Sequence, residues 1–349
     1  MTLEEKIKRY IELDIPVLLK GPPGVGKTER IKDLASAEGW HLEVLPLNVM
    51  EPPDVGGLPG IVNGEAVFFP PEWAKRVERA AADGKRPVVF IDELSTVPPA
   101  VQGPALKLIR ERYAGTIKLP ENTRFIAAVN PPDTTAGAWD TIAPLANRFA
   151  HVEVRADLDE WVAWAARQSP HHARIAAFLK TKPTLLFNQP SGSTLAAQAW
   201  PSPRTWDHVA KLLRFEPEPA ELYEMAVEQV GEGAAAEFAA WIKKAELIDP
   251  HKALAQPDAF ALPKREDAAF SLVYEAGAIL SNADDVTRYW APFWRLLTRV
   301  LDAGYRDIAA TGAVVAVEAF RKSGGKLPIP QEITHFSDYV QNVLEKVRG

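Results

Sequence analysis

The sequence predicts an α/β fold in which a mostly parallel sheet, covered by helices on both sides, is followed by an all-helical region. Two observations predict it. From about residue 15 to 155, short β-branched or apolar runs at 16–19, 41–45, 88–91, 124–129 and 151–154 alternate with helical stretches, and strands separated by helices imply parallel pairing through crossovers. Beyond Val154 the spacing becomes helical throughout, with Trp161, Trp164 and Ala165 and then Ile175, Phe178 and Leu179 recurring on one face.

Taken in chain order, the opening residues 2–9 are charged and lack the apolar core of a secretory leader. Thr2 and Glu5 stand in capping-box register, and Leu3, Ile7, Tyr10 and Ile11 share one face, so a helix is expected there. The run 16–19 suits a buried strand. It feeds Gly21-Pro22-Pro23-Gly24-Val25-Gly26-Lys27-Thr28, after which Glu29 and the same-face pair Ile31 and Leu34 continue a helix. Glycine, four residues and Gly-Lys-Thr build a loop of backbone N–H groups around a di- or triphosphate, with Lys27 reaching the outer phosphates and Thr28 ligating Mg²⁺. The helix N-terminus adds its own attraction for anions.

Two insertions interrupt the alternation. Residues 60–68 place Asn63-Gly64 between apolar runs, the strongest short hairpin signal. Residues 113–117, with Gly115, give a weaker hairpin pattern between a helix opened by Pro98 and Pro99 and the fourth strand. Either could be surface decoration.

Three strand runs end in polar residues: the first in Gly21, the third in Asp92-Glu93 and the fourth in Asn130-Pro131. Ligands of open α/β sheets bind beyond the carboxyl ends of strands, so these endings describe one site. Beside a phosphate loop, the first acid, Asp92, orders the Mg²⁺ shell and the second, Glu93, polarises an attacking water. The Asn130 amide can donate to a γ-phosphate and accept from the water. Arg148, within residues 144–149, and Arg204, in Ser202-Pro203-Arg204-Thr205 at a helix start, offer forked donors to a transferring phosphoryl group, one of them possible from a neighbouring subunit. Read singly, each arginine is more readily an ordinary surface cation.

In the helical region, residues 183–203 and 249–265 read as loops, and 309–319, interrupted by Thr311 and Glu318, as a core helix and not a membrane span. Tyr289-Trp290 and Phe293-Trp294 have the spacing of core packing, with a partner face or base-stacking platform as the other reading. His171-His172 lacks companions for a metal site, and Ser191-Gly192-Ser193 lacks the pattern of a nucleophile elbow.

The composition bounds these readings. At 349 residues the chain has room for about two domains, and 47% hydrophobic with 25% charged residues is an ordinary globular balance. The absence of cysteine excludes disulfides and thiolate metal sites and is compatible with a reducing cytoplasm, the expected location. A net charge of −6 argues against a nucleic-acid surface as the main feature, although a local basic channel remains compatible with it.

Residues 15–206 resemble the AAA+ ATPases, and among them the MoxR-like branch: Gly21 to Thr28 match Walker A, 88–93 Walker B, Asn130 sensor 1, Arg148 the arginine finger and Arg204 sensor 2. The Asn63-Gly64 hairpin looks like the branch's insertion in helix 2, and the Gly115 hairpin like the one before sensor 1. Asn147 stands where Asp is more usual, and roughly the last hundred residues match no motif. The resemblance implies an α/β nucleotide-binding core at 1–155, an α-helical lid at 156–250 and a helical extension at 251–349. It implies a Mg²⁺-dependent ATPase binding ATP through residues 21–29, with Thr28 and Asp92 at the metal. Lys27, Glu93, Asn130, Arg148 and Arg204 would be the working groups, in a ring-shaped, usually hexameric homo-oligomer. Relatives of this kind remodel a protein partner together with a protein carrying a von Willebrand factor A domain. A nucleic-acid motor of the McrB-like kind, or a nucleotide-gated scaffold with little turnover, are the alternatives.

Overall fold

The computed structural model describes residues 1–131, 146–190, 198–244 and 249–336, in two compact units, Met1–Arg155 and Ala156–Gly349. In the first unit, helix Leu3–Glu12 starts as its sequence dictates. The Thr2 hydroxyl accepts from the Glu5 N–H, the Glu5 carboxylate accepts from the Thr2 N–H, and Ile7 and Ile11 are buried. The strands are β1 (Val17–Lys20), β2 (His41–Pro46), β3 (Leu58–Val62), β4 (Glu65–Phe69), β5 (Pro87–Asp92), β6 (Tyr113–Ala114), β7 (Ile117–Lys118), β8 (Arg124–Val129) and β9 (Ala150–Glu153).

Five of these form one sheet in the order β2-β5-β8-β1-β9 with every neighbouring pair parallel. The five apolar runs of the sequence are these strands. The central β5 and β8 are continuous apolar runs because both their faces are covered, whereas the edge strand β2 alternates, with Glu43 and Leu45 inward and Val44 outward. Burying Glu43 requires a partner, and Arg76 supplies a two-pronged guanidinium at 2.5 and 3.1 Å.

Both inserted hairpins are present. β3 and β4 pair in the register Val62↔Glu65 around Asn63 and Gly64, whose φ values of 53° and 82° are those a two-residue turn demands. β6 and β7 pair around Gly115 and Thr116.

The second unit is helical: Leu158–Ala165, Pro170–Thr181, Pro203–Leu212, Pro219–Val230, Glu232–Lys244, Pro250–Ala255, Glu266–Asn282, Val286–Asp302 and Arg306–Lys322. One apolar core joins residues from Trp161 to Phe336, with Phe178, Trp206, Phe238, Phe293 and Trp294 at its centre. Trp290, Phe293 and Trp294 are thus core residues. The stretch 309–319 lies within a core helix, and no described helix is long and apolar enough to cross a membrane. The loop expected at 249–265 is corrected: it contains helix Pro250–Ala255, which Asp249 caps by accepting from the His251 N–H while Pro250 pre-sets the first turn. Ser191, Gly192 and Ser193 lie outside the described residues, as do Pro144 and Leu145.

Candidate active site

The glycine loop follows β1 directly. A Cβ on Gly21 would lie 2.2 Å from the Val154 carbonyl oxygen, so the close passage of the chain after β9 admits only glycine. Gly26, at φ 91°, turns the loop into helix Lys27–Ala37 in a conformation that a side chain would strain, and no side chain caps that helix. Pro22 and Pro23 have no N–H, so the donors of the cradle come from residues 24–28.

Lys27 is only 8% exposed. Its ammonium donates to Gly21 O at 2.7 Å, to Pro22 O at 3.0 Å and to Asn130 Oδ1 at 2.7 Å. Two strand ends therefore converge on one cation, because β1 and β8 are neighbours in the register Lys20↔Val129. Beside Lys27, the Thr28 hydroxyl donates to Asp92 Oδ2 at 2.8 Å, which ties the loop to the tip of β5.

Glu93 adopts φ 54° and ψ 39°, a left-handed conformation uncommon for a residue with a side chain. It is held by its neighbours: its N–H donates to Asp92 Oδ1 at 3.0 Å and its carbonyl accepts from Thr96 Oγ1 at 2.9 Å. Its carboxylate accepts from Asn48 Nδ2 at 2.6 Å. This strained backbone stands at the end of β5, next to the Asp92 carboxylate that accepts from Thr28. Sequence reasoning missed Asn48. It lies in the turn after β2, and only the β2–β5 pairing, Pro46↔Asp92, brings it to Glu93.

The structure thus gathers Lys27, Thr28, Asp92, Glu93 and Asn130 at the carboxyl ends of β1, β5 and β8. Glu29 faces outward and pairs with Lys32. Arg148 is exposed in the turn before β9, and Arg204 is exposed in the first turn of helix Pro203–Leu212. Ser202 and Thr205 form the capping box of that helix, as its start in the sequence suggests.

No cluster of three or more His, Cys, Asp or Glu able to hold a metal occurs among the described residues. The metal-compatible donors are the Thr28 hydroxyl and the Asp92 carboxylate. An adjacent oxygen pair of this kind fits Mg²⁺, which takes one or two protein oxygens and completes its shell with phosphate and water. Both ring nitrogens of His172 are engaged: Nδ1 meets Ser169 Oγ at 2.7 Å and Nε2 meets Asp207 Oδ1 at 2.9 Å. Burial pushes the Asp207 carboxyl up, but hydrogen bonds from His172 and Lys211 outweigh it and hold the group below the usual carboxylate range.

Residues 16–149 match the family model of the AAA domain, dynein-related subfamily. No curated protein matches the chain in sequence. Among solved structures, a point variant of Thermotoga maritima RuvB shares 16% identity at a TM-score of 0.38, covering 87% of this chain and 89% of that one. A candidate ATPase from Cytophaga hutchinsonii shares 15% identity at a TM-score of 0.35, covering 70% and 90%. The family match carries the assignment: residues 16–149 form an AAA domain, which supports an ATPase.

Proposed function

We propose that this chain hydrolyses ATP with Mg²⁺ as a ring-shaped homo-oligomer of the MoxR-like kind and spends the cycle remodelling a protein partner. The observation that supports it is that the chain neighbours Lys27 and Thr28 bond to Asn130 and Asp92 respectively, with Glu93 next to Asp92. In this reading the backbone N–H groups of residues 24–28 cradle the phosphates and Lys27 neutralises the outer ones. Thr28 and Asp92 would hold Mg²⁺, which would supply charge neutralisation and polarisation of the phosphoryl group. Glu93 takes the proton of the attacking water, and the neutral amide of Asn130 positions it. Asn48 holds the Glu93 carboxylate.

Arg148, exposed ahead of β9, would complete the site of a neighbouring subunit, and Arg204 would tie a lid at 156–250 to the bound γ-phosphate. The division of the helical unit into this lid and an extension at 251–349 is part of the same proposal. Mixing tests the shared site: Arg148→Ala and Glu93→Gln proteins, each inactive alone, regain turnover when combined, because mixed interfaces join an intact arginine to an intact glutamate. No regain would mean that Arg148 does not complete a neighbour's site.

Affinity capture tests the remodelling. Glu93→Gln with ATP and Mg²⁺ should retain a protein partner, one with a von Willebrand factor A domain in the MoxR-like reading, that Lys27→Ala does not retain. Identical profiles would count against it. Hydrolysis stimulated by DNA with steep salt dependence would instead point to a nucleic-acid motor, and binding without turnover to a nucleotide-gated scaffold.

A further inference from the structure

The two hairpins of the first unit meet backbone against backbone. Gly57, which ends helix Pro52–Gly56 at φ 92° and leads into β3, has no room for a side chain. A Cβ there would lie 2.6 Å from Phe69 O and 2.7 Å from the Cα of Gly115. Gly115, at φ 62° in the β6–β7 turn, is as tightly placed: its Cβ would lie 2.8 Å from the Cα of Pro70 and 3.1 Å from Phe68 O. The Gly115 N–H donates to Gly56 O at 3.0 Å. Since every one of these neighbours is main chain, no rotamer change can relieve a substitution.

Both ends of the β3–β4 ribbon are tied to one helix. Gly57 continues Pro52–Gly56, and beyond β4 the Trp73 indole N–H donates to Asp54 O in that helix at 2.9 Å. A Cβ at Gly56 would be in ordinary contact, 3.7 Å, with Pro104 of helix Pro99–Glu111, the helix that joins the Glu93 segment to β6. Leu94, Val97, Val101 and Leu108 along that route share one buried core with Val55 and Ala114. The ribbon itself exposes Leu58, Ile61 and Phe68 at 60%, 78% and 52%.

We propose that Gly57 and Gly115 latch the two hairpins into one rigid body. A displacement of the segment carrying Glu93 then moves the apolar β3–β4 ribbon and the β6–β7 turn together. Only the trigger rests on Glu93 as the hydrolytic carboxylate; the latch does not. Because the chain has no cysteine, spin labels at Glu65→Cys and Lys118→Cys, both exposed positions, report the distance between ribbons in the full chain by pulsed electron resonance.

The latch predicts one narrow distance distribution, the same without nucleotide, with ADP and with a non-hydrolysable ATP analogue. Gly115→Val should broaden it. Where Gly115→Val does not fold, the labelled parent still decides: a broad distribution, or one that changes with nucleotide, overturns the latch, and so does a folded Gly115→Val protein with an unchanged distribution. ATP turnover of the unlabelled chain is measured separately. Its absence would count against the enzymatic reading and leave the distance result standing.

Discussion

The strand-end cluster of the α/β unit and the core of the helical unit bury charge in opposite ways. In the α/β unit the buried cation, Lys27, sits where the ends of β1 and β8 converge, and the carboxylates at the tip of β5 remain partly open, Asp92 half-buried and Glu93 exposed. In the helical unit the buried anion, Glu275, is closed off: Arg174 approaches it with two nitrogens at 2.7 and 3.3 Å and Ser271 donates at 2.5 Å. The first arrangement has polar capacity to offer a ligand. The second spends its capacity on itself and serves architecture, the usual destiny of a charge in an apolar core.

Four substitutions break or sharpen that contrast. Lys27→Ala removes the cation of the open cluster, and equilibrium titration should show ATP affinity falling by roughly a hundredfold or more, about 3 kcal/mol or upward, with the thermal midpoint nearly unchanged. Arg174→Ala leaves Glu275 buried and unpaired; denaturant unfolding should show a loss of about 3–5 kcal/mol while nucleotide affinity per folded molecule is kept. If Arg174→Ala abolished binding and left stability intact, the contrast would be wrong.

A pH titration tests the closed core at a third place. Burial pushes the Tyr274 phenol up to about 12, against a hydrogen bond with Thr311 that lowers it. The folded state therefore prefers the neutral phenol. Stability from this group is complete below about pH 10, the unfolded value, and is lost as pH rises from there through 12, by up to about 2–3 kcal/mol. Tyr274→Phe should flatten the alkaline limb of the stability profile; an unaltered limb would show that Tyr274 does not govern it. The smallest effect belongs to Asn48→Ala, which frees the Glu93 carboxylate: a change of a few-fold in kcat, equivalent to about 1 kcal/mol, with KM held. A Tm change without a kcat change would make Asn48 structural only.

Much of this was legible in the sequence because the relevant physics is local. A parallel strand buried on both faces is a continuous apolar run, and the residue that ends it marks the end of the sheet where ligands bind, so Asp92, Glu93 and Asn130 could be named with Lys27 and Thr28. The Asn63-Gly64 turn was legible because it requires two positive φ angles. Asn48 was not, since its meeting with Glu93 depends on which strand lies beside β5, a fact of topology and not of spacing. Helix Pro250–Ala255 was taken for loop because its single short turn carries little periodicity, although Asp249-Pro250 held the start signal. The Gly57–Gly115 contact joins residues far apart in the chain, and nothing near either glycine announces the other.

The central claim, that the open cluster hydrolyses ATP, is tested most directly by parallel measurement of ATP turnover and ATP binding in the unmodified chain and in Glu93→Gln. The account predicts turnover in the first, and in the second a drop of roughly 10²–10⁴-fold with affinity retained. Equal turnover in both proteins would contradict it.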